Sequence, residues 1–465
     1  MTTSHLTALE AFLPLHPTIK YIPPSSTEYI PTASRGFIAG TNACPLAIVQ
    51  PHSATDVAAL VKFAKTHDVP FTVRSGGHNL EGRAVVNDAL LIDLRALTGV
   101  TIAADRKSAT VQGGILQHEL ANLLWEEGLA TPTGAIPSVG YVGWAMYGGY
   151  GPFSSHWGLG VDQIVGATLV DASGEVVVAD ESLLKGVRGA GGLFGVVVDV
   201  TIKVYPLSKL LAGAIIFDSV DIARSIITFN AAYEHLLDTE GLPPPLTLQQ
   251  IAFNSPHGRV FGVIFTWSHP DLEEGQRWVE KISSLAPLLM STVAPTTIPE
   301  WFAGNGALVP ERGYGSPQTH NIRRINPAVA EVIGRHVALM PSDPGTMFSI
   351  HQLRGESAGE DVERTKNSVF GTREPHYMIE VLGFATDEHG VAASEHWAVN
   401  MAKEIALVDE GNVLPTAYVS VMKLAAVKPG ETAKKVFGAN AEVVRTLKQR
   451  FDPEDVFALA VPALK

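Results

Sequence analysis

The sequence has almost no cysteine and no long hydrophobic run. Cys44 is the single cysteine among 465 residues, so no disulfide can form within the chain, which is typical of a reducing compartment. No stretch approaches the roughly 20 uninterrupted apolar residues that a membrane-spanning helix needs. Residues 1–6 lack the basic segment and apolar core of a secretory signal. We therefore expect a cytoplasmic protein without a membrane span, in which Cys44 is structural.

Positive charge is also scarce. The chain has 34 Lys and Arg residues against 47 Asp and Glu residues, a net charge of −13, and no basic run. This balance argues against a nucleic-acid partner. There is no Gly-Lys-Ser/Thr phosphate loop, and the 16 histidines never fall in a His-Glu-x-x-His pattern. We expect no bound metal, and scattered roles for the later histidines His351, His376, His389 and His396.

Glycine, by contrast, is abundant and concentrated in three loops. The first loop, residues 74–82, reads Arg-Ser-Gly-Gly-His-Asn-Leu-Glu-Gly and follows a short apolar run, residues 70–73, that predicts a strand end. Gly76 and Gly77 let the backbone approach a ligand closely and present consecutive amides to anionic oxygens. His78 follows at once. The pattern favours a pyrophosphate cradle beside one reactive imidazole, and a tight turn with a surface histidine is the alternative.

Two further glycine loops follow along the chain. Residues 134–151 and residues 188–195 are both rich in glycine. Both adjoin apolar, β-branched runs, such as residues 167–170 and 196–198, that predict strands. Three glycine-rich loops between strands indicate a large, flat or extended ligand that touches the backbone at many points.

The three loops, in this order, resemble the FAD-binding domain of the vanillyl-alcohol-oxidase superfamily, of PCMH type, in its berberine-bridge-enzyme-like branch. The family's R-S-G-G-H matches residues 74–78, and its histidine is bonded to the 8α-methyl group of the flavin. The family's G-x-C-P-T-V-G matches residues 134–140, with Ile136 in place of a second linking cysteine. The other motifs match residues 158–164, 188–197 and 437–457. The resemblance implies FAD attached covalently through His78 alone.

The resemblance implies an α+β fold in three parts. Residues 1–208 would form a two-part FAD-binding PCMH-type domain with an N-terminal extension. Residues 209–420 would form an α/β substrate domain whose sheet covers the flavin, and residues 421–465 a C-terminal segment that packs back on the FAD domain. Apolar residues at helical spacing predict helices that begin near Asp56 and near Ala433.

The resemblance also implies which residues hold the cofactor. They lie in the three glycine loops, in the strand that follows the third loop, and in a Phe-Gly-Ala-Asn turn near the C-terminus. The expected cofactor-binding residues are Arg74, Ser75, Gly76, Gly77, His78, Asn79, Gly82, Gly134, Ser138, Val139, Gly143, Gly148, Gly149, Gly151, Gly195, Val197 and Asn440.

The activity that the resemblance implies is an oxidase reaction on a small natural-product substrate. The substrate, an alcohol, an amine or an activated C–H compound, would lose a hydride to the FAD, and dioxygen would reoxidise the flavin. Val139 occupies the position at which family members with a small valine admit dioxygen. An oxidase is therefore favoured over a dehydrogenase.

The base for this reaction is not evident from the resemblance. Oxidation of an alcohol or amine normally needs a positioned base, but Leu80 and Val421 stand where relatives carry tyrosines. Our first candidate is Glu356, at a strand end expected near the flavin, where burial would raise the pKa of a carboxyl group. The second candidate is Tyr150. The alternatives are an exposed glutamate and a core aromatic residue.

Three other functions stay open. Some family members catalyse redox-neutral isomerisation or cyclisation of a natural product, and the missing tyrosines agree with that chemistry. Residues 355–359 match the G-x-S-x-G nucleophile elbow of esterases, with Ser357 as nucleophile. The polar residues 360–364 that follow, and the lack of a His-Gly-Gly-Gly segment before it, argue against an esterase. The intact His78 loop argues against a non-catalytic flavin-binding protein.

Overall fold

A computed structural model describes residues 2–40, 42–306, 310–354, 358, 366–424, 427, 428, 430–462 and 464. Helices make up 38% and strands 25% of the structure, so the expected mixed fold is confirmed. The helices are α1 (Thr2–Phe12), α2 (Tyr29–Ala33), α3 (Ala54–Thr66), α4 (Gln117–Glu126), α5 (Tyr141–Met146), α6 (Ser154–Trp157), α7 (Glu181–Ala190), α8 (Ile222–Thr239), α9 (Leu272–Ser283), α10 (Ile298–Gly306), α11 (Pro327–Ala338), α12 (Val391–Val408), α13 (Thr432–Phe437) and α14 (Ala441–Phe451). None of the described helices is long and apolar enough to cross a membrane.

The strands form one large sheet and three smaller ones. In chain order they are β1 (Lys20–Ile22), β2 (Ala47–Gln50), β3 (Phe71–Arg74), β4 (Leu90–Asp93), β5 (Val100–Ile102), β6 (Ser108–Gln112), β7 (Leu129–Ala130), β8 (Ile164–Val170), β9 (Val176–Val178), β10 (Val196–Lys203), β11 (Tyr205–Pro206), β12 (Leu210–Phe217), β13 (Leu246–Ser255), β14 (Gly258–Trp267), β15 (Leu288–Ser291), β16 (Ala294–Thr296), β17 (Tyr314–Ile322), β18 (Thr346–Leu353) and β19 (His376–Ala385).

The N-terminal half holds all three smaller sheets, the smallest of which pairs β7 with β11. The other two have the orders β1-β2-β4-β3 and β5-β6-β10-β8-β9. Helix α3 packs beside the four-stranded and five-stranded sheets, and Ser53 caps its N-terminus by accepting the Asp56 amide hydrogen on its hydroxyl. Its apolar residues Val57, Leu60 and Val61 are buried, as the helical spacing predicted. Strand β3 runs parallel to β4 and ends at Arg74, so it delivers the first glycine loop to the sheet's edge.

The large sheet has two chemically different faces. Its order is β15-β12-β14-β13-β18-β19-β17, with β16 also paired to β12. Because side chains alternate along a strand, Phe348 and Ile350 point to one face, where they join a hydrophobic core with residues of α8, α11 and α12. Ser349 and His351 therefore point to the opposite face. Glu380 lies beside them there, because it is directly paired with Ser349.

The end of the chain differs from its expected single helix. Gly438, in the left-handed region with φ of +56°, separates α13 from α14. A side chain there would also come within 2.8 Å of Thr416 Cγ2. Beyond α14, Phe457 packs edge-on against Phe71 of β3, with ring centroids 6.0 Å apart. Phe457 thus joins the hydrophobic core that includes Phe71 of β3, the strand before the first glycine loop.

Candidate active site

The first and second glycine loops touch each other. A Cβ atom on Gly76 would lie 2.4 Å from both the amide nitrogen of Gly140 and the carbonyl oxygen of Ser138. Only a glycine lets the two backbones come this close. A second contact joins the two loops, because Nε2 of His78 lies 2.9 Å from the hydroxyl of Ser138. The ring of Phe37 stacks on the His78 imidazole at 5.7 Å.

His78 is held as a neutral imidazole. Crowding by its neighbours removes water from the ring and lowers the pKa of His78 from 6.5 to about 4. The side chain still keeps some contact with solvent, so it is enclosed without being sealed off. At neutral pH one ring nitrogen therefore carries a free lone pair, which is the form that can act as a nucleophile.

The first loop also offers unused hydrogen-bonding groups. Among the described residues, no acceptor takes the backbone N–H of Gly76, Gly77 or His78. The hydroxyl of Ser75 is buried, and within the described chain it has no hydrogen-bond partner. Buried polar groups are normally paired. These groups form a concave set of donors that suits an anionic ligand.

Three other expected residues, Arg74, Asn79 and Gly82, stabilise the conformation of this loop. Arg74 is fully buried, donates to Asp93 at 2.9 Å and also reaches the carbonyl oxygen of Thr32. The Asn79 side chain accepts the amide hydrogens of Glu81 and Arg83. Gly82 has φ of +70° and closes the turn. The polar side chains of Arg74 and Asn79 are thus engaged by the protein itself.

The second loop doubles back on itself through close backbone contacts. A side chain on Gly151 would lie 1.8 Å from the Thr133 carbonyl oxygen, next to Gly134. Gly148 and Gly149 have φ of +134° and +84°. At Gly143, in contrast, an added Cβ would meet nothing within 4 Å. That open position faces space that no described protein atom fills.

Tyr150 lies near the end of this loop and is hydrogen-bonded to a buried histidine. Its hydroxyl is 2.6 Å from Nε2 of His376, and Nδ1 of His376 is 2.6 Å from the carbonyl oxygen of Glu374. A carbonyl can only accept, so Nδ1 carries the proton and Tyr150 donates to Nε2. Burial raises the pKa of Tyr150 well above its usual value and lowers the pKa of His376 to about 4. Tyr150 therefore keeps its proton at neutral pH.

Tyr418 completes this aromatic group. Its ring meets that of Tyr150 edge-on at 5.0 Å, and its hydroxyl accepts the Gly149 amide. Burial raises the pKa of Tyr418 to about 12, so it too stays protonated. Both tyrosines therefore keep their hydroxyl protons at neutral pH.

A polar cluster on the facing sheet was missed by the sequence analysis. The side-chain nitrogen of Gln249 lies 2.8 Å from the Ser349 hydroxyl and 3.2 Å from Nε2 of His351. The same Nε2 is 3.4 Å from the Glu380 carboxylate. His351 and Gln249 line a small pocket, with room for about one water molecule, together with Gly151 of the second glycine loop. The alternation of polar and apolar residues along β18 was the available signal.

The other expected residues lie apart from this centre or outside the described residues. Gly195 sits against the Val170 carbonyl, and Val197 is buried in β10. Asn440 reaches the carbonyl oxygen of Phe370 at 3.5 Å. The candidate base Glu356 and the elbow residue Ser357 both lie outside the described residues.

The sheets, the two touching glycine loops and the neutral imidazole are the features expected of a flavoprotein. The model of a family described as an FAD binding domain matches residues 45–180. The FAD-linked oxidoreductase aurO of Gibberella zeae is 32% identical over 423 residues, which cover 89% of this chain and 79% of the relative. The (R)-6-hydroxynicotine oxidase of Paenarthrobacter nicotinovorans is 39% identical over 176 residues, 37% of this chain and 38% of that protein. This chain belongs to the FAD-linked oxidoreductases.

Solved structures share the fold over nearly the full chain. The 6-hydroxy-D-nicotine oxidase of Arthrobacter nicotinovorans superposes with a TM-score of 0.83 at 23% identity, covering 96% of this chain and 97% of that one. The berberine bridge enzyme of Eschscholzia californica gives 0.82 at 18% identity, with 97% of each chain covered. The resemblance predicted from the motifs is thereby confirmed, and the protein is an oxidoreductase with FAD as its cofactor.

The first two glycine loops fit this cofactor. The free amides of residues 76–78 and the unpartnered Ser75 hydroxyl are donors, and the pyrophosphate of FAD supplies acceptor oxygens. The close approach at Gly76 excludes any side chain there, as a backbone cradle requires. The open position at Gly143 leaves room beside the same loops.

Proposed function

We propose that the protein is an oxidase that holds FAD through a single covalent bond to His78 and oxidises a small natural-product substrate at the expense of dioxygen. The observation that carries this proposal is the neutral, crowded His78 imidazole at the meeting point of two glycine loops. A nucleophilic imidazole must be uncharged to form a bond to carbon. Ile136 stands where a second attachment would need a cysteine.

The protein's own groups position and polarise the cofactor. When bound, FAD supplies the two-electron chemistry, accepting a hydride from the substrate and passing the electrons to dioxygen. Ser138 orients the His78 ring through its hydroxyl, and Phe37 fixes the ring plane by stacking. We propose that the amides of residues 76–78 hold the pyrophosphate and that the second loop lies along the flavin. Tyr150 and Tyr418 stay protonated and fix the second loop through their hydrogen bonds to His376 and Gly149.

The covalent bond is tested by His78→Ala. We expect the wild-type protein to keep its yellow colour in the pellet after acid precipitation, because a covalent flavin cannot be washed out. The variant should release its flavin to the supernatant or contain none. His118→Gln is the matched control, because His118 contacts the same loop through the Pro137 carbonyl and should leave the pellet yellow. An acid-stable yellow pellet from His78→Ala would refute the bond.

The dioxygen proposal is tested at Val139, which is partly exposed between Ser138 and Gly140. We expect Val139→Leu to slow the return of flavin absorbance several-fold when anaerobically photoreduced protein is mixed with dioxygen, because the larger side chain narrows the approach. Val178→Leu is the control, because Val178 is exposed on the surface. Its flavin absorbance should return at the wild-type rate. Equal rates for all three proteins would remove the role assigned to Val139.

A redox-neutral cyclisation would use the same scaffold without net oxidation. The observation that favours it is the absence of the two tyrosines that relatives carry, because Leu80 and Val421 stand in their places. The two functions differ in whether dioxygen is consumed and hydrogen peroxide is formed. An oxidase acting on a panel of alcohols and amines forms hydrogen peroxide, and a cyclase forms none while still changing the substrate.

A further inference from the structure

One edge of the large sheet is apolar and exposed. Within the described residues, strand β15 pairs with β12 on one side and is the last strand of the sheet. Its residues Leu288, Leu289 and Met290 are 49%, 63% and 49% exposed. None of the three belongs to a hydrophobic core cluster of the described chain. The core of a single chain therefore does not account for these apolar side chains.

This edge also carries no charge. No charged residue lies between Lys281 and Glu300, a segment that includes both β15 and β16. Charged side chains are a common protection of natural edge strands against pairing with another chain. The exposed edge strand β9, for example, has Glu175 immediately before it and Asp180 two residues after it. Strand β15 lacks this protection.

The opposite edge of the same sheet is bridged by other parts of the chain. Strand β17 forms that edge. Gly313, next to its first residue, pairs with Ile38, and Ile322, its last residue, pairs with Val413. As far as the structure describes the chain, the β15 edge is therefore the open edge of the large sheet.

The contacts on the inner side of this edge indicate which backbone groups face outward. The Thr292 amide donates to the Ala214 carbonyl oxygen of β12 at 2.8 Å. Because backbone groups alternate in direction along a strand, those of Ser291 point away from β12. Leu289 is skipped in the pairing with β12, although its two neighbours are paired. The outward backbone groups are therefore those of Leu289 and Ser291, on either side of Met290.

The partner that fits this edge is a second copy of the chain. Each copy carries a net charge of −13, so two copies repel each other wherever charged surfaces meet. Identical strands that pair about a two-fold axis bring the same residues together twice, and like charges placed opposite each other are unfavourable. The uncharged β15 edge avoids both penalties. A basic partner, by contrast, would favour an acidic surface.

We propose that two copies of the protein associate through their β15 edges, which joins the two large sheets into one continuous antiparallel sheet. With the two-fold axis at Met290, Leu289 of each copy exchanges backbone hydrogen bonds with Ser291 of the other. The two Met290 residues then face each other as a pair without hydrogen bonds, with Cα atoms about 4.5 Å apart. Burial of Leu289 and Met290 from both copies stabilises the dimer. This inference does not depend on the proposed oxidase function.

The first test is sedimentation velocity of the holoprotein over a range of concentrations. We expect the mass to rise from that of one chain toward that of two. Added salt should strengthen the association, because it screens the repulsion between the acidic copies. Met290→Lys places two positive charges face to face and removes apolar surface, so its dissociation constant should rise about tenfold or more. Val178→Lys adds the same charge to another exposed strand and should leave the dissociation constant unchanged.

The second test is a cross-link that reports the register of the two strands. Cys44 is the single cysteine of the chain, so Cys44→Ser gives a background without thiols. In that background Met290→Cys places two thiols across the axis, where the Cα separation suits a disulfide. Mild oxidation with copper phenanthroline should convert this variant to a covalent dimer on a non-reducing gel. Val178→Cys in the same background is the control and should run as a single chain.

The outcomes decide the inference and its register separately. Circular dichroism and flavin content check that each variant is folded. A single-chain mass at every concentration would overturn the dimer, as would equal dissociation constants for Met290→Lys and the wild-type protein. Species larger than two chains would contradict a closed two-fold pairing, and a dimer that salt dissociates would place the contact on charged surfaces. A dimer in which Met290→Cys fails to cross-link would refute the register.

Discussion

Tyr150 and His376 are joined by a hydrogen bond of 2.6 Å, although 226 residues separate them in the sequence. The bond ties the second glycine loop to the first residue of β19 and fixes the tautomer of a buried imidazole. Tyr150→Phe leaves Nε2 of His376 without a partner. Because an unsatisfied buried acceptor costs about 1–3 kcal/mol, we expect the free energy of unfolding in urea to fall by about that amount. Tyr21→Phe, which removes an exposed hydroxyl, should leave the urea midpoint unchanged.

The ion pair between Arg74 and Asp93 is fully buried and fixes the start of the first glycine loop. Replacing Arg74 by Met leaves the Asp93 carboxylate buried without its partner. Removal of one member of such a pair typically costs about 3–5 kcal/mol, so we expect a large fall in the unfolding midpoint. Lys20→Met breaks an exposed pair and is the control. A midpoint for Arg74→Met equal to that of the control would show that the pair does not stabilise the loop.

The contact between the two loops makes Gly76 irreplaceable. Alanine at this position would place its Cβ 2.4 Å from two backbone atoms, which cannot move aside as a flexible side chain can. We expect Gly76→Ala to push the loops apart, to lower the thermal midpoint and to reduce flavin content. Gly304→Ala adds a methyl group where no atom lies within 4 Å on helix α10, and should be neutral or stabilising by about 0.5–1 kcal/mol. Equal flavin content in both variants would contradict the proposed cradle.

Buried histidines predict a loss of stability in mild acid. Burial lowers the pKa of both His320 and His376 to about 4, whereas an unfolded histidine titrates near 6.5. Between these values the unfolded chain binds protons that the folded chain does not. The free energy of unfolding should therefore fall as pH drops from about 6.5 to about 4, and should be insensitive to these groups above that range.

The contribution of His320 can be isolated by substitution. We expect His320→Gln to reduce the pH slope of the unfolding free energy by about one proton in the middle of this window. His257→Gln alters an exposed histidine and should keep the wild-type slope. The measurement is a series of urea unfolding curves across the window. A wild-type slope in His320→Gln would show that this residue titrates alike in both states.

Local features of the fold could be predicted from the sequence. Helix α3 is visible in its helical spacing, and the first glycine loop in its glycine pair and strand end. The single expected helix at the C-terminus is two helices, because Gly438 adopts a left-handed conformation that spacing alone does not reveal. Helix α3 and the first glycine loop are determined by residues that are close together in the sequence, so a sequence pattern predicts them.

The polar cluster could not be predicted in the same way. His351 and Glu380 are 29 positions apart, and they meet only because Ser349 pairs directly with Glu380 across two strands. A shift of one residue in that pairing would send Glu380 to the opposite face. The two-residue alternation of β18 places Ser349 and His351 on one side, but the pairing register is a property of the folded sheet. The alternation along β18 therefore predicts a strand but does not predict which strand pairs with it or in which register.

The contact between Phe71 and Phe457 has a consequence for biosynthesis. A chain growing from its N-terminal end exposes the apolar surface around Phe71 long before Phe457 emerges from the ribosome. At roughly 5–20 residues per second, the interval is on the order of half a minute. The first sheet must pass that time with part of its core open to water and to other nascent chains. Expression at lower temperature or with extra chaperone should therefore raise the soluble yield.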